Sequence, residues 1–372
     1  MRMLMLATTA AMIEQFNKNN ILILESLGYE VHVAGNFKEG NPISDERLNA
    51  FKIWVEEHNG KWFDIPSTRS PFDFNGNGKA LKRVIELINE YHYEFIHCHT
   101  PLGSVIGRIA AHKTHTKIIY TAHGFHFYKG APLKNWLLYY PVERFLSRWT
   151  DVLITINNED YLRASSKFHA KKTVYVPGVG VDTVKFAPNK SGRDRIRNEL
   201  NLADNAIMLL SVGELNENKN HSSVIKAVSG MNLVYVIVGK GDKGAELEAL
   251  AKEYKVDLRL MGFRGDVSEF YNAADVYVLP SYREGLNVSL MEAMASGLPV
   301  ICGKIRGNTD LIGDDDYLFD PKNVDSIKKA VKKVLSADRG QLGDSNLRII
   351  KKYDVATVKE IMTELYSNCN TF

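Results

Sequence analysis

Residues 280–303 read PSYREGLNVSLMEAMASGLPVICG, and this stretch decides the fold class of the chain. An apolar strand ends at Ser281, and a turn follows at Glu284 and Gly285. The apolar spacing after the turn predicts a helix that begins near Asn287 or Val288, and the closing VICG predicts a second strand. A strand, a helix and a strand in this order predict a parallel βαβ unit. The helix start would offer N–H groups and partial positive charge to a phosphate.

Short apolar runs alternate with amphipathic helical stretches along the whole chain. Strands are predicted at MLMLAT (3–8), YEVHVAG (29–35), FIHCHT (95–100), KIIYTAH (117–123), VLITIN (152–157), IMLLSVG (207–213), LVYVIVG (233–239), DLRLMGF (257–263), VYVLPS (276–281) and LPVICG (298–303). Helices between them include NKNNILILESL (17–27), ALKRVIELINEY (80–91) and GAELEALAKEYK (244–255). This alternation with apolar strands predicts an α/β fold, in which parallel, doubly wound sheets are covered by helices on both faces.

The alternation breaks once, at YVPGVGVDTVKFAPNK (175–190), where glycines and prolines interrupt the periodicity. We place a boundary at about residue 182, which gives an acceptor-binding domain at 1–181 and a donor-binding domain at 182–352. The final helix, about 353–372, is expected to pack back on the first domain. Ligands of doubly wound sheets bind beyond the carboxyl ends of the strands, so a cleft between the two facing domains is the expected site.

Composition excludes several classes of protein. The chain has 372 residues, of which 45% are hydrophobic and 24% charged, as in ordinary globular proteins. The net charge of +3 argues against a nucleic-acid binder, which usually carries a large basic surplus. Three distant cysteines fit neither a disulfide framework nor a four-ligand zinc site, and they are typical of the reducing cytosol. No apolar run reaches the roughly 20 residues that a membrane helix needs.

Several motifs in order resemble those of the retaining glycosyltransferases of family four, which have the two-domain GT-B fold. The spacing Glu284-x7-Glu292 resembles the family signature. The other matching segments are SVGELNENKN (211–220), LMGFRGDVSEFYNAADVYVLPS (260–281), VPGVGVD (176–182), HCHTP (97–101) and TAHGFHFYKG (121–130). The last two resemble enzymes that build bacterial exopolysaccharide or capsule repeat units. The resemblance implies GT-B, with two Rossmann-like domains, and transfer of a sugar from a nucleotide diphosphate sugar.

The resemblance also assigns the donor site. Lys219 matches the family lysine that holds the donor diphosphate, whereas the preceding family arginine is replaced by Glu214. That replacement shifts diphosphate binding onto Lys219, the helix start and Arg264. Glu284 would position the sugar, and Glu292 would face the same ligand unless both acids are merely solvated. Phe263 would contact the base through its backbone, unless its side chain is core. The donor set is Gly213, Asn218, Phe263, Arg264, Gly285, Leu286, Asn287, Val288 and Glu292.

The first domain supplies candidate histidines. His123, at a strand end in TAHG, matches the family histidine near the transferring sugar and is assigned as catalytic with Glu284 and Lys219. His99 and His126 end similar strands and are expected to orient an acceptor or one another. Thr9 lies in the turn after the first strand, where the family often has a glycine-rich phosphate loop. Here that turn reads ATTAA (7–11), with no residue that adopts positive φ at low cost.

The implied reaction proceeds with retention and without a metal or cofactor, and a UDP-sugar is the expected donor. A double displacement would need a carboxylate nucleophile, and no acid of the first domain has that context. We therefore favour front-face attack, in which the departing phosphate oxygen takes the acceptor proton. Catalysis then comes from orientation and from stabilising the leaving group. The acidic run 314–316 is interpreted as a solvated turn.

Residues 128–149 read YKGAPLKNWLLYYPVERFLSRW and mix aromatic, apolar and basic side chains. This composition suits a polyprenyl diphosphate-linked sugar acceptor and the inner face of the plasma membrane, to which a cytoplasmic protein would bind peripherally. A buried helix whose basic side chains lie at its rim fits equally well.

Two alternatives to a transferase stay open. One is a UDP-sugar epimerase of the same architecture, and the other is an inactive sugar-nucleotide-binding partner subunit, suggested by Glu214 and the missing glycine turn.

Overall fold

The computed structural model describes residues 1–203 and 205–369. Contacts divide the chain into two units. The first comprises Met1–Val179 and the chain from Val358 onward, and the second comprises Gly180–Thr357. The predicted boundary at 182 lies two residues from this division.

The first unit is built on a parallel sheet, whose strands are β1 Arg2–Thr9, β2 Glu30–Asn36, β3 Lys61–Asp64, β4 Phe95–His99, β5 Lys117–Ala122, β6 Val152–Thr155 and β7 Lys172–Tyr175. Their order in space is β3-β2-β1-β4-β5-β6-β7. The strands alternate with helices α1 Ala10–Phe16, α2 Lys18–Ser26, α3 Asp45–Glu57, α4 Phe74–Tyr91, α5 Pro101–Thr114, α6 Leu133–Leu146 and α7 Asn158–Lys167. Two apolar clusters cover the two faces of the sheet, so its central strands are buried on both sides.

The second unit repeats this plan with β8 Met208–Val212, β9 Val234–Val238, β10 Asp257–Leu260, β11 Val276–Leu279, β12 Val300–Gly303 and β13 Leu318–Phe319. Their order is β10-β9-β8-β11-β12-β13, again with parallel pairing. The helices are α8 Lys190–Glu199, α9 His221–Val228, α10 Gly244–Tyr254, α11 Val267–Ala273, α12 Val288–Ala295, α13 Asn308–Leu311, α14 Val324–Ser336 and α15 Arg339–Ile350. The predicted α/β class with two doubly wound sheets is confirmed.

The last helix, α16 Val355–Ser367, returns to the first unit. Val358, Met362, Leu365 and Tyr366 are buried in the apolar cluster of the first sheet. Tyr366 Oη lies 2.8 Å from Nδ1 of His97, in the middle of β4. Helix α16 is thereby part of the hydrophobic core of the first unit. Residues 370–372 of the predicted helix lie outside the described residues.

Strand order reverses at one place in each sheet, between β1 and β4 and between β8 and β11. The loops that leave such neighbouring strands diverge to opposite faces and open a crevice at their carboxyl ends. In the first unit this edge carries Thr9 and His99, and in the second it carries Gly213 and Ser281. Both switch points therefore coincide with motifs selected from the sequence.

Candidate active site

The loop after β8 positions Lys219 at the switch point of the second unit. The side chain of Asn216 accepts a hydrogen bond from the N–H of Lys219 at 3.0 Å and fixes a short 3-10 turn over Glu217–Lys219. A Cβ on Gly213 would lie only 3.2 Å from Cε of Lys219, so a glycine leaves room for the lysine stem. Lys219 Nζ lies 2.8 Å from Oε1 of Glu284, and both side chains are largely buried, at 17% and 15% exposure. Lys219 is therefore not a solvated loop lysine.

The turn that carries Glu284 is tied to the same loop. Asn218 Nδ2 donates to the carbonyl of Arg283 at 3.1 Å, and the N–H of Tyr282 donates to the carbonyl of Asn218 at 2.9 Å. These two bonds hold the Lys219 loop and the Glu284 turn side by side. The predicted donor residues Asn218, Lys219 and Glu284 are therefore brought together, although about 65 residues separate them along the chain.

A second cation near this turn was missed by the sequence analysis. Arg306 follows β12, and its Nε donates to the carbonyl oxygen of Glu284 at 3.3 Å. The next residue, Gly307, has φ +79°, and a Cβ there would lie 1.9 Å from the carbonyl oxygen of Gly285. Only glycine permits this approach of the two loops. A basic residue three positions after a strand of the same sheet edge was the available sequence signal.

Helix α12 begins at Val288, next to this ion pair, as predicted. The Asn287 side chain caps it by accepting from the N–H of Leu290 at 2.9 Å. Ser289 Oγ lies 2.6 Å from the hydroxyl of Tyr277 on β11, which fixes the helix start against the strand. Leu286 is buried beneath the turn. The first turn of α12 therefore presents the positive end of a helix dipole beside Lys219.

Glu292 has a partner of its own, one turn further along α12. Tyr271 donates its hydroxyl proton to Oε2 of Glu292 at 2.8 Å. Burial raises the pKa of the Glu292 carboxyl to about 7, and the hydrogen bond from Tyr271 only partly opposes this. The interpretation of Glu292 as a solvated surface acid is therefore wrong, and its carboxyl is partly protonated near neutral pH.

The structure argues against Arg264 as the second diphosphate cation. Its Nη1 lies 2.7 Å from Glu199, and its Nη2 lies 2.8 Å from Asp266. Two carboxylates already neutralise the guanidinium, and they raise its pKa further. The neighbouring Phe263 is 72% exposed, so the interpretation of its side chain as core is wrong. Glu214 is exposed and accepts a hydrogen bond from the side chain of Asn216 at 2.9 Å.

In the first unit, the ends of β4 and β5 bring two predicted histidines into contact. Nδ1 of His99 lies 3.1 Å from Nε2 of His123. Burial lowers the pKa of His123 to about 4 and lowers that of His99 well below its ordinary value. The adjacent His97 is likewise buried, with a pKa lowered to about 3. The pair is therefore neutral at pH 7, and one imidazole donates a hydrogen bond to the other.

The turn after β1 differs from a glycine-rich phosphate loop. Strand β1 passes directly into α1, and the N–H of Ala11 is taken by the side chain of Asn41 at 3.0 Å. The hydroxyls of Thr8 and Thr100 lie 2.7 Å apart and join the ends of β1 and β4. Thr100 has φ 66°, a conformation that β-branched residues rarely adopt. This threonine pair was not selected from the sequence.

Two of the predicted acceptor residues share a cavity within the first unit. Thr9, which is buried, and His126, which is exposed, both line a cavity of about 720 Å³. The His126 ring stacks on Tyr139 of α6, with ring centroids 4.6 Å apart. His126 is thus placed apart from the contact between His99 and His123, and it belongs to the wall of this cavity.

Helix α6 unites the two interpretations of residues 128–149. Glu143 and Leu146 are buried, and Trp136, Tyr139 and Tyr140 pack against the first core. The opposite face is exposed and carries large apolar side chains, namely Leu133, Leu137, Leu138, Val142 and Phe145. Basic side chains lie exposed beside them at Lys129, Lys134, Arg144 and Arg148. One face of α6 therefore packs in the core, and the opposite face is an exposed apolar surface flanked by lysine and arginine side chains.

The acidic run 314–316 is engaged with lysines. Asp315 lies 2.7 Å from Lys304, and Asp316 lies 2.9 Å from Lys333. In the part of the chain that the structure describes, no group of three potential metal ligands comes together. In the same residues, no helix is both long and apolar enough to cross a membrane.

Comparison with known proteins assigns the family. The family described as "Glycosyltransferase Family 4" matches residues 21–185, and "Glycosyl transferases group 1" matches residues 192–352. EpsD of Bacillus subtilis (strain 168), which is named as a glycosyltransferase, is 35% identical over 92% of this chain and 90% of its own length. The chain belongs to glycosyltransferase family 4. The resemblance stated from the sequence is confirmed, and the protein is a transferase.

Two further matches extend along this family-4 glycosyltransferase. The Escherichia coli UDP-Gal:alpha-D-GlcNAc-diphosphoundecaprenol alpha-1,3-galactosyltransferase is 29% identical over 88% of this chain and 87% of its own length. The crystal structure of HepE from Anabaena, in complex with UDP and glucose, aligns with TM-score 0.78 at 18% identity. That alignment covers 99% of this chain and all of HepE. The second comparison confirms the fold of the family-4 enzyme, GT-B.

Proposed function

We propose that this family-4 glycosyltransferase moves a sugar from a UDP-sugar to a hydroxyl of a lipid-linked glycan, with retention, in the biosynthesis of a cell-surface polysaccharide. The relative that acts on a diphosphoundecaprenol-linked sugar with a UDP-sugar donor supports both substrate classes. The observation that carries the proposal is the largely buried Lys219–Glu284 ion pair beside the first turn of α12. A cation and a helix dipole at one strand edge suit a diphosphate.

Charge on the departing diphosphate is the main demand of the reaction. In our proposal the diphosphate displaces Glu284 from Lys219, and Lys219 with the α12 start then stabilises the leaving group. Glu214 stands where the family has a second cation, an arginine, and in our proposal Arg306 supplies that second positive charge instead. The freed Glu284 carboxylate then accepts hydrogen bonds from hydroxyls of the sugar and offsets positive charge on its ring.

The proposed step balances without a protein nucleophile. The acceptor oxygen forms a bond to the anomeric carbon on the face from which the diphosphate oxygen departs. The bond between that carbon and the diphosphate breaks, and the acceptor proton passes to the departing oxygen. The products are the glycosylated acceptor and UDP. Binding and orientation supply most of the rate enhancement.

His123 suits a hydrogen-bonding role better than that of a charged group. Its pKa of about 4 keeps the imidazole neutral at pH 7. The contact with His99 couples the tautomers of the two rings, since one nitrogen of the contact must donate and the other must accept. The remaining nitrogen of His123 then has the opposite role toward substrate. We propose that it binds a sugar hydroxyl, with His99 as its positioning residue.

The exposed apolar face of α6 supports association with the inner leaflet of the plasma membrane. Large apolar side chains would enter the interface, and the flanking lysines and arginines would meet anionic headgroups. We call this surface the α6 face, defined by Leu133, Leu137, Leu138, Val142 and Phe145 with Lys134, Arg144 and Arg148. Location at the cytoplasmic side follows from this proposal.

A donor screen followed by product analysis tests the function. UDP-sugars, with GDP- and ADP-sugars as controls, are screened by thermal shift, and each binder is then incubated with diphosphate-linked lipid acceptors. A glycosylated acceptor with retained configuration supports the proposal. Binding without any product would favour the binding-subunit alternative, and an epimerised nucleotide sugar would favour the epimerase.

Vesicle flotation tests the membrane proposal separately. The protein should float with phosphatidylglycerol vesicles at low salt and less so at high salt, since the headgroup attraction is screened. The Leu133→Ser/Leu137→Ser variant should lose this binding. Leu162→Ser, which changes a 66% exposed leucine on α7, is the control and should keep it. Failure of the unmodified protein to bind anionic vesicles would refute this proposal.

A further inference from the structure

The cavity of about 720 Å³ in the first unit changes character from its inner end to its surface. Thr9, which is buried, and Thr100, which is half-buried, line it where strands β1 and β4 terminate. Phe72, Phe74 and Leu138 line its outer end, and they are 72%, 79% and 55% exposed. The walls are therefore more polar and less exposed at the strand ends, and apolar and exposed at Phe72, Phe74 and Leu138.

The apolar end is poorly suited to a sugar. Aromatic and aliphatic walls that are wide open to solvent usually mark a binding surface for an apolar group. The volume lies within the range of about 300–1,000 Å³ that is typical of small-molecule sites. Leu138 and Val142 belong both to this wall and to the α6 face, so the cavity opens where the protein is proposed to meet the membrane.

The charged side chains of the wall favour an anion. Glu143 lies in the wall, but its carboxylate is 2.9 Å from the buried guanidinium of Arg108 and is thereby neutralised. Arg69 also lines the cavity, and it is exposed. Among residues 1–203 and 205–369, no carboxylate lies within ion-pair distance of Arg69. The cavity therefore combines apolar walls with one uncompensated cation.

We propose that this cavity, here called the carrier cavity, binds the isoprenoid segment next to the diphosphate of the lipid acceptor, and that Arg69 pairs with that diphosphate. An anionic head at Arg69 would direct the attached glycan toward the polar strand ends. The apolar chain would leave past Phe72, Phe74 and Leu138 toward the α6 face. That the apolar part of the ligand is an isoprenoid rests on the proposed function. That the ligand is an anionic amphiphile rests on the cavity alone.

Calorimetric titration with farnesyl diphosphate, kept below its micelle concentration, tests the proposal without any transfer reaction. Inorganic diphosphate, which is the head without the chain, should bind at least about tenfold more weakly. Leu138→Ser should weaken farnesyl diphosphate binding by about fivefold, because the ligand loses its contact with the exposed half of this leucine side chain. Leu162→Ser is the matched control, since that leucine is 66% exposed and does not line the cavity, and it should leave binding unchanged.

Arg69→Gln tests the contribution of the ligand's diphosphate head separately from that of its isoprenoid part. This substitution should weaken the binding of farnesyl diphosphate by about tenfold and leave the binding of uncharged farnesol unaltered. Equal affinity for farnesyl diphosphate and inorganic diphosphate would overturn the carrier cavity, and so would equal effects of Leu138→Ser and Leu162→Ser. UDP titration of the same samples distinguishes the two proposals. If the protein binds farnesyl diphosphate but not UDP, only the proposed donor is contradicted. If it binds UDP but not farnesyl diphosphate, only the carrier cavity is contradicted.

Discussion

The Lys219–Glu284 pair allows one experiment to separate a structural ion pair from a catalytic one. The two side chains are 2.8 Å apart and at most 17% exposed, so each compensates the charge of the other. We consider Lys219→Met, Glu284→Gln and the double variant. Methionine keeps much of the lysine stem, and glutamine keeps the shape of the acid, so packing changes little.

The expected magnitudes differ for stability and for turnover. Lys219→Met leaves a largely buried carboxylate without its cation, which should cost about 1–3 kcal/mol of unfolding free energy. The double variant removes both charges and should recover most of that loss. For turnover, loss of one preorganised charge at the leaving group should lower kcat/KM by about 10²–10³-fold. The double variant should stay as inactive as Lys219→Met or become worse.

Urea unfolding and initial rates on the same four proteins provide the readout. Lys333→Met is the control, because its ion pair with Asp316 is 2.9 Å long but about half exposed. Removing it should change the unfolding free energy by less than about 1 kcal/mol and leave the rate unaltered. If turnover returned together with stability in the double variant, the pair would be purely structural and the assignment of Lys219 to the diphosphate would fail.

Three further predictions concern neighbouring groups. The pKa of Glu292 is about 7 in the folded protein, against an ordinary value of 4.5. The unfolded state therefore loses this proton first, and the unfolding free energy should fall by up to about 3 kcal/mol as the pH rises from 4.5 to 7. Glu292→Gln should abolish that slope in urea titrations at successive pH values. Arg306→Gln should raise the donor KM by about tenfold in steady-state assays, as expected for the loss of one charge–charge contact, and Lys304→Gln should not. His123→Asn should lower kcat by about 10²-fold while UDP affinity, measured calorimetrically, stays the same.

Each of these predictions has an opposing outcome. A pH slope that survives in Glu292→Gln would assign it to other groups. Tyr271 is not one of them, because burial raises its pKa far above this pH range. Equal donor KM values for the Arg306 and Lys304 variants would remove Arg306 from the diphosphate site. A fall in UDP affinity in the His123 variant would mean that the substitution disturbs more than a sugar contact.

The fold followed from the sequence because its decisive features are local. Each of the ten predicted strands is a short apolar run, and each lies in one of the two sheets. The strands that were missed, β3, β7 and β13, lie at sheet edges and contain only two to four residues. Edge strands are less buried than central strands, so their apolar signal is weaker. β10, which is also an edge strand, was predicted because apolar residues continue past it in DLRLMGF (257–263).

Individual site residues were predictable to different degrees. The start of α12 at Val288 and the Asn287 cap follow from the local sequence, since a capping residue and a helical apolar pattern are neighbours in the chain. The cation set was not predictable. Arg264 was chosen for its place in a motif, yet Glu199, 65 residues away, takes its guanidinium, and Arg306 reaches the Glu284 turn from a different loop.

The sequence alone determined two doubly wound α/β domains and the family, because periodicity, turns and motif order are properties of neighbouring residues. Only the tertiary structure decided which charges are already paired, that His99 and His123 share a hydrogen bond, and that α6 has one packed face and one exposed face. It alone formed the carrier cavity, whose walls come from six separate segments. The physical reason is that the charge state and exposure of a side chain depend on the groups that surround it in space, and folding brings those groups from distant parts of the chain.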